Sequence, residues 1–154
     1  MTIHTTSFKH LDIETLYDIL QLRSEVFVVE QDCAYQDLDG IDKNAMHSWI
    51  SEGGKMVAYA RFFMKNKSRK IVQIGRVVVA KDKRRERYAS FLMRSVMENA
   101  GRFFGAKHLY LESQTYAIPF YERLGFKVCS EEFLEDGIPH VKMERDGAAK
   151  TTVA

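Results

Sequence analysis

The sequence has 154 residues, 45% of them apolar, enough for one globular domain to bury a core without disulfides or metals. Lys and Arg total 23 against 21 Asp and Glu, a formal charge of +2, which excludes the broad basic excess of a nucleic-acid binder and makes any anion site local. Cys33 and Cys129 form no C-x-x-C pattern, the N-terminus has no basic-then-apolar leader, and no run approaches the ~18 apolar residues of a membrane span. The expectation is a soluble, cytoplasmic protein with no disulfide and no membrane partner.

Asp12 can cap a helix in which Leu16, Ile19, Leu20 and Phe27 recur at three- and four-residue spacing, with Glu14 near its positive end. This predicts a helix over residues 12–29. The acidic stretch EQDCAYQDLDGIDKNA that follows lacks periodicity and reads as a long loop. HSWIS and KMVAYARFFM, separated by Glu52, Gly53 and Gly54, predict a hairpin between His47 and Met64.

IVQIGRVVVA, residues 71–80, is almost continuously apolar and reads as a central strand buried on both faces, with Gly75 marking a bulge or close backbone approach. A helix over 87–104 follows, with Ala89, Leu92, Val96, Ala100 and Phe103 as its apolar stripe. KHLYLES is a short strand and TYAIPFYERLG a helix ended by Gly125. FKVCSEEF and PHVKMERD supply two strands around the Asp136–Gly137 turn. The fold class is therefore α+β, or mixed α/β, with helices on a largely antiparallel sheet. One domain over 1–145 and a flexible tail over 146–154 are expected.

The junction of strand 71–80, a basic loop and a helix N-terminus makes an anion site, because first-turn amides and the helix dipole attract phosphate. Arg84, Arg85 and Arg87 can add charge-assisted bonds, although a charge run of this kind also serves as a solvated surface. The five histidines show no metal-ligand spacing, so no metal is expected. Asp37, Asp39 and Asp42 can attract a cationic molecule, and Arg23 can anchor their loop through a carboxylate.

Arg84-Arg85-Glu86-Arg87-Tyr88-Ala89 resembles the GNAT pyrophosphate motif [QR]-x-x-G-x-[GA], with Arg84 and Ala89 at its first and last positions. Arg87 stands where the motif has glycine and restricts the loop. LQLRSEVFVVEQ, YQDLDG, IGRVVVA, FYERLGF and EDGIPH, in that order over roughly residues 7–145, are similar to the ElaA-like branch of the GNAT superfamily.

The resemblance implies a GNAT-type acyl-CoA N-acyltransferase fold and transfer of an acetyl group from acetyl-CoA, as cosubstrate, to a primary amine. It implies donor binding by Val77, Val78 and Val79 and by a phosphate segment comprising Arg84, Arg85, Arg87, Tyr88, Ala89 and Ser90. Ser113 and Gln114 can bond pantetheine or substrate. Tyr121 corresponds to a tyrosine that protonates the departing thiolate; phenol and thiol pKa values near ~10 and ~8.5 are close enough for that transfer. His140 and Glu30 are the candidate acceptors of the amine's proton.

The expected partners are acetyl-CoA, an amine and, at most, a second copy of the chain. Three other readings compete: a non-catalytic CoA-binding regulatory module, an acyl-homoserine-lactone synthase suggested by LRSEVFVVEQ, and a nucleic-acid patch built from KNKSRK and KDKRRER. The first is told apart by thioester consumption measured beside CoA binding. The second requires a longer chain with a carrier-docking region, and the third a larger net charge.

Overall fold

The computed structural model describes residues 1–147. Of the tail expected over 146–154, Asp146 closes the last strand and Gly147 bonds to the Lys107 carbonyl at 2.9 Å; the rest lies outside the described residues. Eight strands pair in the order β1-β2-β3-β4-β5-β8-β6, with β7 also on β8. The chain divides into two compact units, the first comprising Met1–Phe63 and Arg76–Val96, the second Met64–Gly75 and the chain from Met97.

In the first unit, β1 (Thr2–Ser7) pairs antiparallel with β2 (Met46–Glu52), which pairs with β3 (Lys55–Asn66) across the turn at Gly53 and Gly54, as the hairpin pattern predicts. Both glycines have positive φ, which lets the turn close without a Cβ penalty. The first-unit helix α1 covers Ile13–Arg23 and is capped by Asp12, whose carboxylate accepts from the Thr15 amide at 2.7 Å. Asp12→Ala is expected to lower the melting temperature by about 2–4 °C, read in a thermal melt.

The helix predicted over 12–29 does continue beyond α1, but as a wider π-helical turn over Ser24–Glu30, in which the Gln31 and Cys33 amides reach back five residues to Val26 and Val28. Ile19, Leu22 and Val26 form the buried stripe of this element and cluster with Tyr59 and Val78, with Phe27, Trp49 and Met56 at the margin. The loop after it holds one short 3-10 turn, Ile41–Asn44, entered through Gly40 at φ 85°.

β4 (Ile71–Val79) departs from the expectation of burial on both faces. Val72, Ile74 and Val78 are buried, whereas Ile71, Gln73, Val77 and Val79 are half-buried, so one face is the core face. The irregularity expected at Gly75 falls one residue later, where Arg76 adopts φ 50°. Arg76 bears that strained conformation because its guanidinium is fixed by two carboxylates, as described below.

Helix α2 (Tyr88–Phe104) begins one residue later than predicted. Its buried residues are Tyr88, Leu92, Met93, Val96, Met97 and Ala100; of the predicted stripe, Ala89 in the first turn is half-buried and Phe103 in the last turn is exposed.

In the second unit, β4 pairs parallel with β5 (His108–Gln114) for three residue pairs, Ile71 to Gln73 against His108 to Tyr110. β5 pairs antiparallel with β8 (Ile138–Asp146) over seven. α3 is shorter than predicted, Ile118–Arg123 after a 3-10 turn at Thr115–Ala117. Gly125 ends it at φ 93°, and a Cβ there would meet Arg145 Nε at 2.8 Å.

The single strand expected from FKVCSEEF is two, β6 (Lys127–Val128) and β7 (Phe133–Glu135), both antiparallel to β8. They separate at Ser130, whose hydroxyl takes the Lys142 amide at 2.8 Å in place of a strand carbonyl.

Candidate active site

In the first unit, β4 delivers the basic loop to the start of α2. Val78 is committed to the core, while Val77 and Val79 are half-buried. Arg85 and Arg87 are exposed and adopt φ 69° and 65°. Arg87 thus takes the left-handed backbone that glycine takes without strain. A side-chain-bearing residue held in that region carries local strain.

Tyr88, Ala89 and Ser90 form the first turn of α2, where helix amides have no intrahelical acceptor and can receive an anion. Tyr88 itself is buried and donates its hydroxyl to Glu52, which pushes its pKa up to about 12. Its side chain is a structural tie, and its backbone is the part open to phosphate.

Arg84 and Glu30, assigned on sequence to separate roles, meet. Arg84 Nη1 and Nη2 donate to the two carboxylate oxygens of Glu30 at 2.6 and 2.8 Å, and Nε donates to the Val79 carbonyl at 3.2 Å. Arg84 lowers the Glu30 pKa, principally by these hydrogen bonds. A carboxylate stabilised in this way is a weak proton acceptor.

The acidic loop is likewise matched rather than free. Arg23, fully buried, donates through Nε to Asp37 at 2.9 Å and through Nη1 to Asp42 at 2.8 Å, as its anchoring role predicts. Arg61 donates to Asp39 at 2.6 and 2.9 Å and to Asp42 at 2.9 Å. Arg76 donates to Asp37 at 2.7 Å and to Asp39 at 3.3 Å.

Hydrogen bonds from Arg61 hold the Asp39 carboxyl well below the usual range. Asp42 is also lowered, its burial being outweighed by Arg23 and Arg61. Three guanidinium groups therefore offset three carboxylates, which corrects the expectation that the Asp cluster attracts a cation. Beside it, Leu20, Ser24, Val28, Tyr35, Gln36, Asp37 and Leu38 line a recess of about 330 Å³.

In the second unit, Ser113 is buried at the end of β5 and its hydroxyl donates to the Gln114 carbonyl at 2.8 Å, so it satisfies local backbone. Gln114 lies opposite His140 in the β5–β8 register. Tyr121 is 8% exposed, edge-on to Phe120 and Phe126 at 5.0 and 6.1 Å between ring centres. Burial raises its pKa, so the phenol stays protonated at neutral pH.

His140 is 7% exposed and stacks on Phe133. Its Nδ1 lies 2.7 Å from the Ile138 carbonyl and its Nε2 3.8 Å from a Glu135 oxygen. Sequence reasoning passed over Glu112 and Glu135, which face this group, and Arg76. Glu135 sits inside the EDGIPH motif, and Glu112 follows the apolar alternation of β5. Those were the available signals.

Among the described residues, no group of His, Cys, Asp or Glu is arranged to hold a metal, and no helix is long and apolar enough to cross a membrane.

Comparison with known proteins agrees with this architecture. A UPF0039 protein of Schizosaccharomyces pombe is 47% identical over 138 residues, 88% of this chain and 91% of its own. The crystal structure of Escherichia coli ElaA superposes with a TM-score of 0.88 at 36% identity, covering 94% of this chain and 99% of that one. An acyl-CoA N-acyltransferase from Pseudomonas aeruginosa gives 0.87 at 35% identity with the same coverage. The family profile described as the acetyltransferase (GNAT) domain matches residues 14–146. By these matches and by its eight-stranded mixed α/β fold, the chain belongs to the GNAT acetyltransferase family, among relatives of ElaA.

Proposed function

We propose that this protein transfers an acyl group, with acetyl as the first candidate, from acyl-CoA to a primary amine by direct attack. The observation that carries this reading is the loop from Arg84 to the first turn of α2, which keeps left-handed backbone at Arg85 and Arg87 and presents helix amides with three arginines beside them. The Pseudomonas aeruginosa relative, described as an acyl-CoA N-acyltransferase, supports the donor class.

In this reading Val77 and Val79 orient the pantetheine arm through their backbone. The residues Arg84 to Ser90 take the pyrophosphate, and Gln114 contacts donor or acceptor. Tyr121 gives its proton to the CoA thiolate. Burial keeps the phenol protonated at neutral pH but also makes it a weaker acid, so the transfer depends on the thiolate forming in the same desolvated surroundings, where its own basicity rises. His140 is favoured over Glu30 as the base, because Glu30 is bound to Arg84 whereas Nε2 of His140 makes no hydrogen bond among the described residues.

Calorimetric titration with acetyl-CoA and free CoA tests the donor site. Arg84→Ala is expected to weaken both. Glu30→Gln, which releases Arg84 from an exposed pair, is expected to tighten both by up to about fivefold at low salt. No binding to the parent protein would reject the donor assignment. The Arg84–Glu30 pair also favours a second reading, a CoA-binding module without turnover. Binding of CoA with no thioester consumption across an amine panel would select it.

A further inference from the structure

Of the non-glycine residues with positive φ among those described, Arg76 alone lies inside a strand; Asp32, Lys70, Arg85, Arg87 and Asp136 fall in turns and loops. Left-handed backbone is disfavoured for a residue with a Cβ, and within a strand it also interrupts the extended chain, so other contacts must hold it there. Arg76 is half-buried and stands where β4 enters the first unit, directly before Val77, Val78 and Val79.

Those contacts come from residues 35–39 of the acidic loop. Nε of Arg76 donates to an Asp37 carboxylate oxygen at 2.7 Å, and Nη2 donates to the Asp37 carbonyl at 3.0 Å and to Asp39 at 3.3 Å. The guanidinium carbon lies 5.6 Å from the centre of the Tyr35 ring, whose hydroxyl donates to the same Asp37 oxygen at 2.8 Å. One planar fork thus engages carboxylates, a backbone carbonyl and an aromatic face, a combination that a lysine ammonium does not reproduce.

The grip constrains both partners. Rotation of φ at Arg76 toward the parallel-strand value of about −120° would turn the peptide groups that follow and draw the guanidinium off the loop. Farther along, the strand is pinned again: Val78 packs with Ile19, Leu22, Val26 and Tyr59, and the Ala80 amide donates to the Val57 carbonyl at 2.8 Å. The orientation of the short run before those pins therefore depends on Arg76. On the loop side, Tyr35, Gln36, Asp37 and Leu38 form one wall of the recess of about 330 Å³, so the same grip fixes that wall.

We propose that Arg76 is a positioning residue for the donor, holding the Val77 and Val79 peptide groups in the orientation that receives the pantetheine arm and coupling that orientation to order in the 35–39 loop. The inference rests on donor binding along β4 in the reading above and goes beyond it by tying the donor strand to the loop through one side chain. The coupling is reciprocal: if the grip on Arg76 favours the donor-binding shape of β4, a bound donor favours the gripped loop.

Two substitutions separate the backbone from the side chain. Arg76→Ala loses the grip and keeps a Cβ that disfavours left-handed backbone, whereas Arg76→Gly loses the grip but takes that backbone without a Cβ penalty. Arg23 still bonds to Asp37 and Asp42, and Arg61 to Asp39 and Asp42, so both variants should fold, which a melt checks. In calorimetric titration with free CoA, Arg76→Ala is expected to bind about tenfold more weakly than the parent and Arg76→Gly to recover part of the loss. Affinity unchanged in Arg76→Ala, or reduced equally in both variants, overturns the positioning role.

Hydrogen exchange of the full chain tests the coupling. Free CoA is expected to slow exchange at the amides of residues 35–39 in the parent and to leave them unchanged in Arg76→Gly. Equal slowing in both proteins, or none in a parent that binds CoA, overturns it. A parent that binds no CoA removes the donor reading and this inference together, whereas CoA bound alike by the parent and both variants rejects the role of Arg76 alone.

Discussion

Replacing Arg23 by alanine is expected to destabilise the fold by about 3–5 kcal/mol, the usual penalty for breaking a buried ion pair. Its guanidinium is fully buried, bonds to Asp37 and Asp42, and lies 5.8 Å from the Tyr59 ring centre. Removing it leaves two carboxylates facing fewer cations in a site that water reaches poorly. Urea denaturation provides the measurement. A loss below about 1 kcal/mol, the range of an exposed pair, would mean that Arg61 and Arg76 carry the loop without it.

The same network predicts a pH dependence. Asp39 and Asp42 have folded-state pKa values below the unfolded value of about 3.9. Their contribution is therefore complete above the unfolded value and is lost as pH falls toward the folded ones. Arg23→Ala should flatten the acid part of the stability profile as well as lower it.

Tyr121→Phe is expected to reduce kcat about a hundredfold or more, the usual range for loss of a general acid, with acetyl-CoA affinity unchanged. The ring's packing against Phe120 and Phe126 is retained in phenylalanine, so a melt should show little change. Turnover equal to the parent's would leave Tyr121 as a packing residue only.

The strongly patterned segments were legible because local chemistry and tertiary demand agree there. Asp12 caps α1, Gly53 and Gly54 turn the hairpin, and Gly125 ends α3 where a Cβ has no room. β1 escaped notice, since TIHTTS is short and mostly polar and becomes a strand through six residue pairs with β2. The break between β6 and β7 depends on one hydroxyl, that of Ser130, standing in for a carbonyl, and no periodicity announces such a substitution.

For the site, the loop came from helix-terminus chemistry as well as motif resemblance and Tyr121 from resemblance, whereas their partners came from neither. That Glu30 meets Arg84, 54 positions away, or that three aspartates meet three arginines, is decided by tertiary approach. Charge counted along the sequence made Asp37, Asp39 and Asp42 an exposed attractor. Arg61 and Arg76, lying in two separate strands, cancel that reading.

The wide turn at Ser24–Glu30 carries an evolutionary consequence. An ordinary α-helix advances about 100° per residue, so a five-residue hydrogen-bond reach absorbs one residue that a regular helix would not contain. A single-codon deletion between Ser24 and Val28 would therefore remove only the residue the wide turn absorbs and leave Glu30 aimed at Arg84, whereas the same deletion within α1 would rotate everything beyond it by about 100°. The turn is thus a place where the length of this element can change by one residue without re-aiming the donor and loop contacts beyond it.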